Sequence, residues 1–110
     1  MNTNTEKTLS SLRLKLDRLD ILRAEKSHAS FGHADDLSGL IGLEKSEIRE
    51  LLGDPKICDE TFFCAPCKKV GDWFYSFYTL PPLWCGGGPE VLLQFDEQGK
   101  CIAATWEQTE

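Results

Sequence analysis

At 110 residues the chain has room for one domain, and a chain of that size buries roughly two-thirds of its unfolded surface without staples. Hydrophobic residues at 41% and charged residues at 27% are ordinary globular values, which argues against wholesale disorder. The net charge of −6 is uneven: residues 1–38 hold six Lys or Arg against six Asp or Glu, and residues 39–110 hold six against twelve. An acidic second half argues against a nucleic-acid partner and suits a basic protein.

Met1-Asn2-Thr3-Asn4-Thr5 leads straight into a charged stretch, with no apolar run of signal-peptide length. Apolar runs stay short along the whole chain, so no membrane span is expected. The expected location is the cytoplasm, where thiols stay reduced. A periplasmic or outer-membrane-associated protein with its leader removed would give the same pattern.

Leu9, Leu12, Leu16 and Leu19 recur at heptad-like spacing, with Leu14, Ile21 and Leu22 widening the stripe. Asn4 or Thr5 supplies a cap and Glu6 a first-turn acid, so the spacing predicts a helix from about Lys7 to Lys26. That helix is either a first layer on a sheet or a dimerising element; the stripe is too wide for a strict coiled-coil seam. Helix and connector make a first segment, residues 1–37, ahead of a helix-plus-strand segment, residues 38–110. In the connector, His28, His33 and Asp35 could be brought to a metal but match no ligand spacing closely, and the histidines read as solvated loop residues.

A second helix is predicted over Leu43 to Leu52, with Ile48, Leu51 and Leu52 as its apolar face. Glu44 takes the N-cap slot, Leu43 staples back, Gly53 is the left-handed residue after the end, and Pro55 bars continuation. Trp73-Phe74-Tyr75-Ser76-Phe77-Tyr78 is the first strand, with Trp73, Tyr75 and Phe77 on one face. Val91 to Phe95 and Lys100 to Trp106 follow as a hairpin around Asp96-Glu97-Gln98-Gly99. The predicted fold is α+β: two helices packed on a three-stranded antiparallel β-meander, with Ile48, Leu52, Tyr75, Leu93 and Phe95 in the core.

The long connection Leu80–Pro89 is stiffened by Pro81-Pro82 and hinged by Gly86-Gly87-Gly88. It is expected to display Leu83 and Trp84 to a partner, with Asp72 and Glu90 steering a basic surface toward them. Cys58, Cys64, Cys67 and Cys85 form C-x5-C-x2-C-x17-C, one knuckle plus loop cysteines, a candidate structural zinc site. The same residues also allow free thiols, or a disulfide from Cys85 to Cys58, Cys64 or Cys67 in an oxidising compartment. Cys64-Ala65-Pro66-Cys67 faintly echoes a redox motif but runs into a strand, where that chemistry needs a helix N-terminus. Cys101 reads as a small core hydrophobe.

No catalytic residue and no bound cofactor is expected. Gly86-Gly87-Gly88 precedes a strand rather than a helix, no Ser or His sits in a nucleophile motif, and Glu44, Glu47 and Glu50 lie on an exposed helix face.

Gly42, Leu43, Glu47, Ile48, Leu52, Gly53, Pro55, Trp73, Tyr75, Phe77, Leu93, Phe95, Asp96 and Gly99 fall in an order seen elsewhere. Through them the stretch from Gly42 to Trp106 resembles the SmpA/OmlA (BamE-like) small lipoprotein domain family. The resemblance implies the helix-plus-meander fold and, for the family, an exported accessory of outer-membrane barrel assembly. Glu44 stands where the family has a capping Thr, and the Leu-rich helix and cysteine cluster are additions. The leading expectation is thus a non-enzymatic protein-binding module, a cytosolic inhibitor or immunity-type protein engaging a basic toxin or partner domain through the acidic meander and the Trp84 loop. It would act as a monomer, or as a dimer through the N-terminal helix. The alternatives are the barrel-assembly accessory and a zinc-binding or redox protein.

Overall fold

Side-chain alternation in two central strands decides how the rest of the chain is arranged. The computed structural model describes residues 3–27, 29–31, 35–59, 66–79 and 88–108. Four strands run as an antiparallel meander: β1 (Lys56–Ile57), β2 (Trp73–Ser76), β3 (Pro89–Phe95) and β4 (Cys101–Gln108), neighbours in that order. The class is α+β, as expected, but the sheet has a fourth strand. β1 is two residues long, too short to show any period. It exists because Lys56 pairs with Phe74 and Ile57 with Trp73.

Trp73 and Tyr75, with Phe77 just past β2, bury on one face of the sheet beside Val91, Leu93 and Cys101. Phe74 and Leu92 bury on the other, against Cys58. Phe95 is only partly buried at the margin of the main cluster, where it meets Trp73 edge-to-face at 4.9 Å between centroids. The β3–β4 turn forms on Asp96, whose Oδ1 accepts the backbone N–H groups of Gln98 and Lys100, each at 2.9 Å. Gly99 completes it at φ +82°, a value that a side chain would oppose. A register shift follows: Gln94 pairs with Ala103 but Phe95 with Cys101. Ile102 is left over between them and is 57% exposed.

A short helix, α2 (Lys45–Leu52), buries Ile48 and Leu52 against the sheet. The Glu44 N–H donates to Glu47 Oε1 at 3.1 Å, the backward half of a capping box with Glu44 at the N-cap. Gly53 ends the helix at φ +85°, ψ −172°, a region open essentially to glycine alone. That conformation differs from the left-handed helical one anticipated, and it presents the Gly53 carbonyl to the Tyr75 hydroxyl at 2.8 Å. Lys45 and Arg49 extend over the Trp73 ring, at 5.5 and 5.0 Å from its centroid.

The long helix, α1 (Thr3–Ala24), starts four residues earlier than its pattern suggests. Leu9, Leu12 and Leu19 join the same buried cluster as Ile48, Tyr75 and Leu93, so helix and meander build one core. Beside those leucines runs a polar ladder. Thr5 donates to the Gly39 carbonyl at 2.7 Å, Thr8 to the Asp36 carbonyl at 3.1 Å, Ser11 to Asp35 Oδ1 at 2.7 Å, and Lys15 to Asp35 Oδ2 at 2.6 Å. Its partners border and enter a 3-10 turn, Leu37–Leu40. The connector is also tied down, with Phe31 N–H donating to the Phe77 carbonyl at 2.8 Å and Trp106 Nε1 to the Asp35 carbonyl at 2.9 Å.

Leu14 and Ile21 do not widen the buried stripe. They are 70% and 49% exposed, because each lies two residues past a buried leucine, about 200° around the helix. Leu12→Ala and Leu52→Ala should therefore each lower stability by about 2–5 kcal/mol, whereas Leu14→Ala should change it by no more than about 0.5 kcal/mol. Chemical denaturation checks this, and equal losses at Leu12 and Leu14 would overturn the assignment of faces.

Candidate functional site

Pairing of β1 with β2 brings Cys58 beside Asp72: its N–H donates to the Asp72 carbonyl at 2.7 Å, and Gly71 N–H donates back to the Cys58 carbonyl at 2.9 Å. Cys58 is disulfide-bonded to Cys67, with Cα atoms 5.8 Å apart. The sequence allows free thiols, or a disulfide from Cys85 to one of the loop cysteines, whereas Cys58 and Cys67 are bonded to each other within the loop. A disulfide sulfur has no thiolate to offer a metal, so Cys58 and Cys67 do not fit a zinc site in this structure. Among the described residues no three His, Cys, Asp or Glu side chains come together as metal donors. Cys64 and Cys85 lie outside the described residues. Cys67 is bonded to Cys58 and not to Cys64, so the Cys64–Cys67 redox pair is not formed.

The two carboxylates expected to steer a partner point inward. Asp72 is 2% exposed, and its Oδ2 accepts the backbone N–H groups of Lys68 and Lys69 at 3.1 and 3.0 Å. Glu90 is likewise 2% exposed, and its Oε2 accepts the Ser76 hydroxyl at 2.8 Å. Lys56 Nζ donates in turn to Ser76 Oγ at 3.4 Å. Steering needs charge at the surface, so neither residue can perform it. Leu83 and Trp84 lie outside the described residues.

Together these contacts make the described parts of the chain between β1 and β2 a cover for the second face of the sheet. Cys58 and Cys67 close over Phe74 and Leu92, and Lys68 Nζ reaches Glu107 on β4 at 3.2 Å. Two of the depressions that open elsewhere among the described residues bear on function. One, of about 500 Å³, lies along β2 and the end of α2, lined by charged residues including Asp17, Asp20 and Asp54. Those acids are matched by Arg13 at 3.1 Å, Arg23 at 3.1 Å and Arg49 at 3.5 Å, so the groove presents no excess of either sign.

The other depression, about 580 Å³, lies between α1 and α2, with Leu9, Leu14 and Leu51 as its walls and Glu6, Ser10 and Arg13 at its rim. Leu14 is 70% and Leu51 37% exposed, and Ile21 continues the apolar row along α1 at 49%. All three were read from the sequence as inward-facing residues. The azimuth of Leu14 and Ile21 relative to Leu12 and Leu19 was the signal that separates them.

Comparison with protein-family models, with characterised proteins and with solved structures gives no match to this chain. Among the described residues no helix is long and apolar enough to cross a membrane.

Peptide mapping without reduction should return Cys58 and Cys67 in one linked pair, and reduction should lower stability by about 2–3 kcal/mol for so short a loop. Linkage through Cys85 would overturn this pairing. Burial raises the Cys101 thiol from its ordinary 9.0 to about 11. The unfolded chain thus loses this proton first. Stability is complete below pH 9 and falls as the pH rises toward 11. Urea midpoints followed across that range should slope less in Cys101→Ala than in the wild type; identical slopes would remove Cys101 as a cause.

Proposed function

We propose that the chain is a non-enzymatic protein-binding module that docks through the outer face of α1 and α2. The observation that carries this reading is the exposed apolar groove of Leu14 and Leu51, continued by Ile21. A helix laid on a sheet needs one apolar face, and α1 presents apolar residues on two. Contiguous apolar surface framed by polar residues is the usual mark of a contact site.

An inhibitor or immunity-type role, with a basic toxin domain as partner, is the form of this reading that the acidic balance of residues 39–110 supports. Burial of Asp72 and Glu90 moves the contact from those carboxylates to the apolar groove, with Glu6 at its rim. The Leu83–Trp84 tip remains a second proposed contact. An envelope accessory of the SmpA/OmlA kind is the other reading, and the Cys58–Cys67 bond favours it, since disulfides persist in oxidising compartments.

Cross-linking in the native host, read by mass spectrometry, should place a partner's cross-links on α1 near Lys7. Leu14→Glu should weaken the purified complex by about 2 kcal/mol or more and leave the thermal midpoint unchanged. A complex that survives Leu14→Glu undiminished overturns the docking face.

A further inference from the structure

We propose that the outer edge of β4 takes up an extended peptide segment of a partner protein, basic at its N-terminal end and apolar at its C-terminal end, as a further antiparallel strand. This contact is separate from the groove between α1 and α2 and does not depend on it.

The two edges of the sheet differ. β1 is two residues long and includes Lys56, the usual way in which an edge is blunted against further pairing. β4 is eight residues long and has β3 on one side only. From Ile102 to Trp106 it contains neither Lys nor Pro, and its register shift is confined to one end, at Ile102.

Pairing on the outer side of β4 begins and then stops. Cys101 N–H donates to the Leu43 carbonyl at 2.8 Å, and Gly42 N–H donates to the Cys101 carbonyl at 2.7 Å. Glu44 stands opposite Lys100 in the same antiparallel sense. The connector then leaves the edge, because the Leu43 and Ile41 N–H groups donate to the Leu40 and Ser38 carbonyls, each at 3.2 Å. Leu37 and Leu40 turn down into the core. Among the described residues Ala103, Ala104 and Thr105 have no main-chain partner other than β3, and the Ala103 carbonyl accepts the Cys101 thiol at 3.4 Å. An antiparallel strand turns the N–H and C=O groups of alternate residues to each side. The edge therefore offers the donors and acceptors that a peptide backbone matches.

A depression of about 480 Å³ runs along this edge, with Asp36, Ser38 and Ile41 across from Ala103–Trp106. Its two ends differ in character. Beside the paired Cys101, Ile41 is 47% and Ile102 57% exposed. At the other end Trp106 Nε1 holds the Asp35 carbonyl, and the Asp35 carboxylate is taken up by Ser11 and Lys15. Asp36 is exposed and, among the described residues, in no ion pair. The Ser38 N–H that it accepts holds its carboxyl below the ordinary range, so it stays charged. Glu107 is matched by Lys68 at 3.2 Å, and Glu44 and Lys100 oppose each other. The charge left over along the edge is negative and lies at the Trp106 end. A strand antiparallel to β4 brings its C-terminal end to Ile41 and its N-terminal end to Asp36, which sets the order of basic and apolar residues in the occupant.

The probe is a short peptide, acetylated and amidated, of sequence Lys-Thr-Lys-Thr-Val-Thr-Val, titrated into the full chain and followed by NMR. Binding should slow amide hydrogen exchange at alternate residues of Ile102–Trp106. N-methylation of one alternate set of peptide residues should weaken binding by about tenfold or more, and of the other set by less than about threefold, since only one set faces β4. Replacing both Lys of the peptide by Glu should weaken it by about fivefold or more. Asp36→Asn, which keeps the acceptor for Ser38, should weaken the Lys peptide by about threefold and leave the Glu peptide unchanged. Equal losses from the two methylated peptides overturn strand addition. Indifference to peptide charge and to Asp36→Asn overturns the basic occupant. No change along β4 at millimolar peptide overturns the site, as does a chain that dimerises through these amides and admits no peptide. Leu14→Glu, in the other groove, should leave peptide binding unchanged, so the failure of one contact is read apart from the failure of the other.

Discussion

β2 and β3 place a bulky apolar side chain at almost every position, and that constraint governs the rest of the structure. Trp73, Tyr75, Val91 and Leu93 project to one face, while Phe74 and Leu92 project to the other. A sheet that is apolar on both faces must be covered on both, and this chain has helices for one. α1 and α2 take the face of Tyr75 and Leu93. On the other face, the described parts of the chain between β1 and β2 set Cys58 and Cys67 over Phe74 and Leu92. They are held in place by the Cys58–Cys67 bond, the Asp72 carboxylate and the Lys68–Glu107 pair.

The features legible in the sequence are local ones. A period of two across Trp73 to Phe77, a turn ending in Gly99 and a glycine after Leu52 each carry their cause within a few residues. The structure keeps all three. β1 was not legible because two residues have no period, and it forms only where β2 offers an edge. Thr5 and Thr8 are buried for a reason some thirty residues away, the carbonyls of Gly39 and Asp36. Asp72 and Glu90 were misplaced by the same rule: an acid reads as surface until the donors that satisfy it are known. Cysteine pairing is likewise not deducible from spacing; it follows from β1 drawing Cys58 to the start of β2.

The candidate site was half legible. Leu14, Ile21 and Leu51 were visible as apolar residues on predicted helices, but counting them into the core ignored their direction. Hydrophobic count and azimuth part company in α1 because its inner side is partly polar. Thr5, Thr8, Ser11 and Lys15 hydrogen-bond to the turn below, so Leu9, Leu12 and Leu19 suffice for the apolar share of that side.

That division gives the exposed row its meaning. Since the polar ladder and three leucines already fix α1, Leu14 and Ile21 add little to folding and leave apolar surface in water, the surface on which the proposed docking rests. The cover held by the disulfide lies across the sheet from this row, against Phe74 and Leu92. The two features are therefore mechanically separate. Opening the Cys58–Cys67 bond loosens one face of the sheet and lowers stability, yet it leaves the geometry of Leu14 and Ile21 to the helix that carries them. Redox state bears on how long the fold lasts, and the exposed row of α1 stands apart from it.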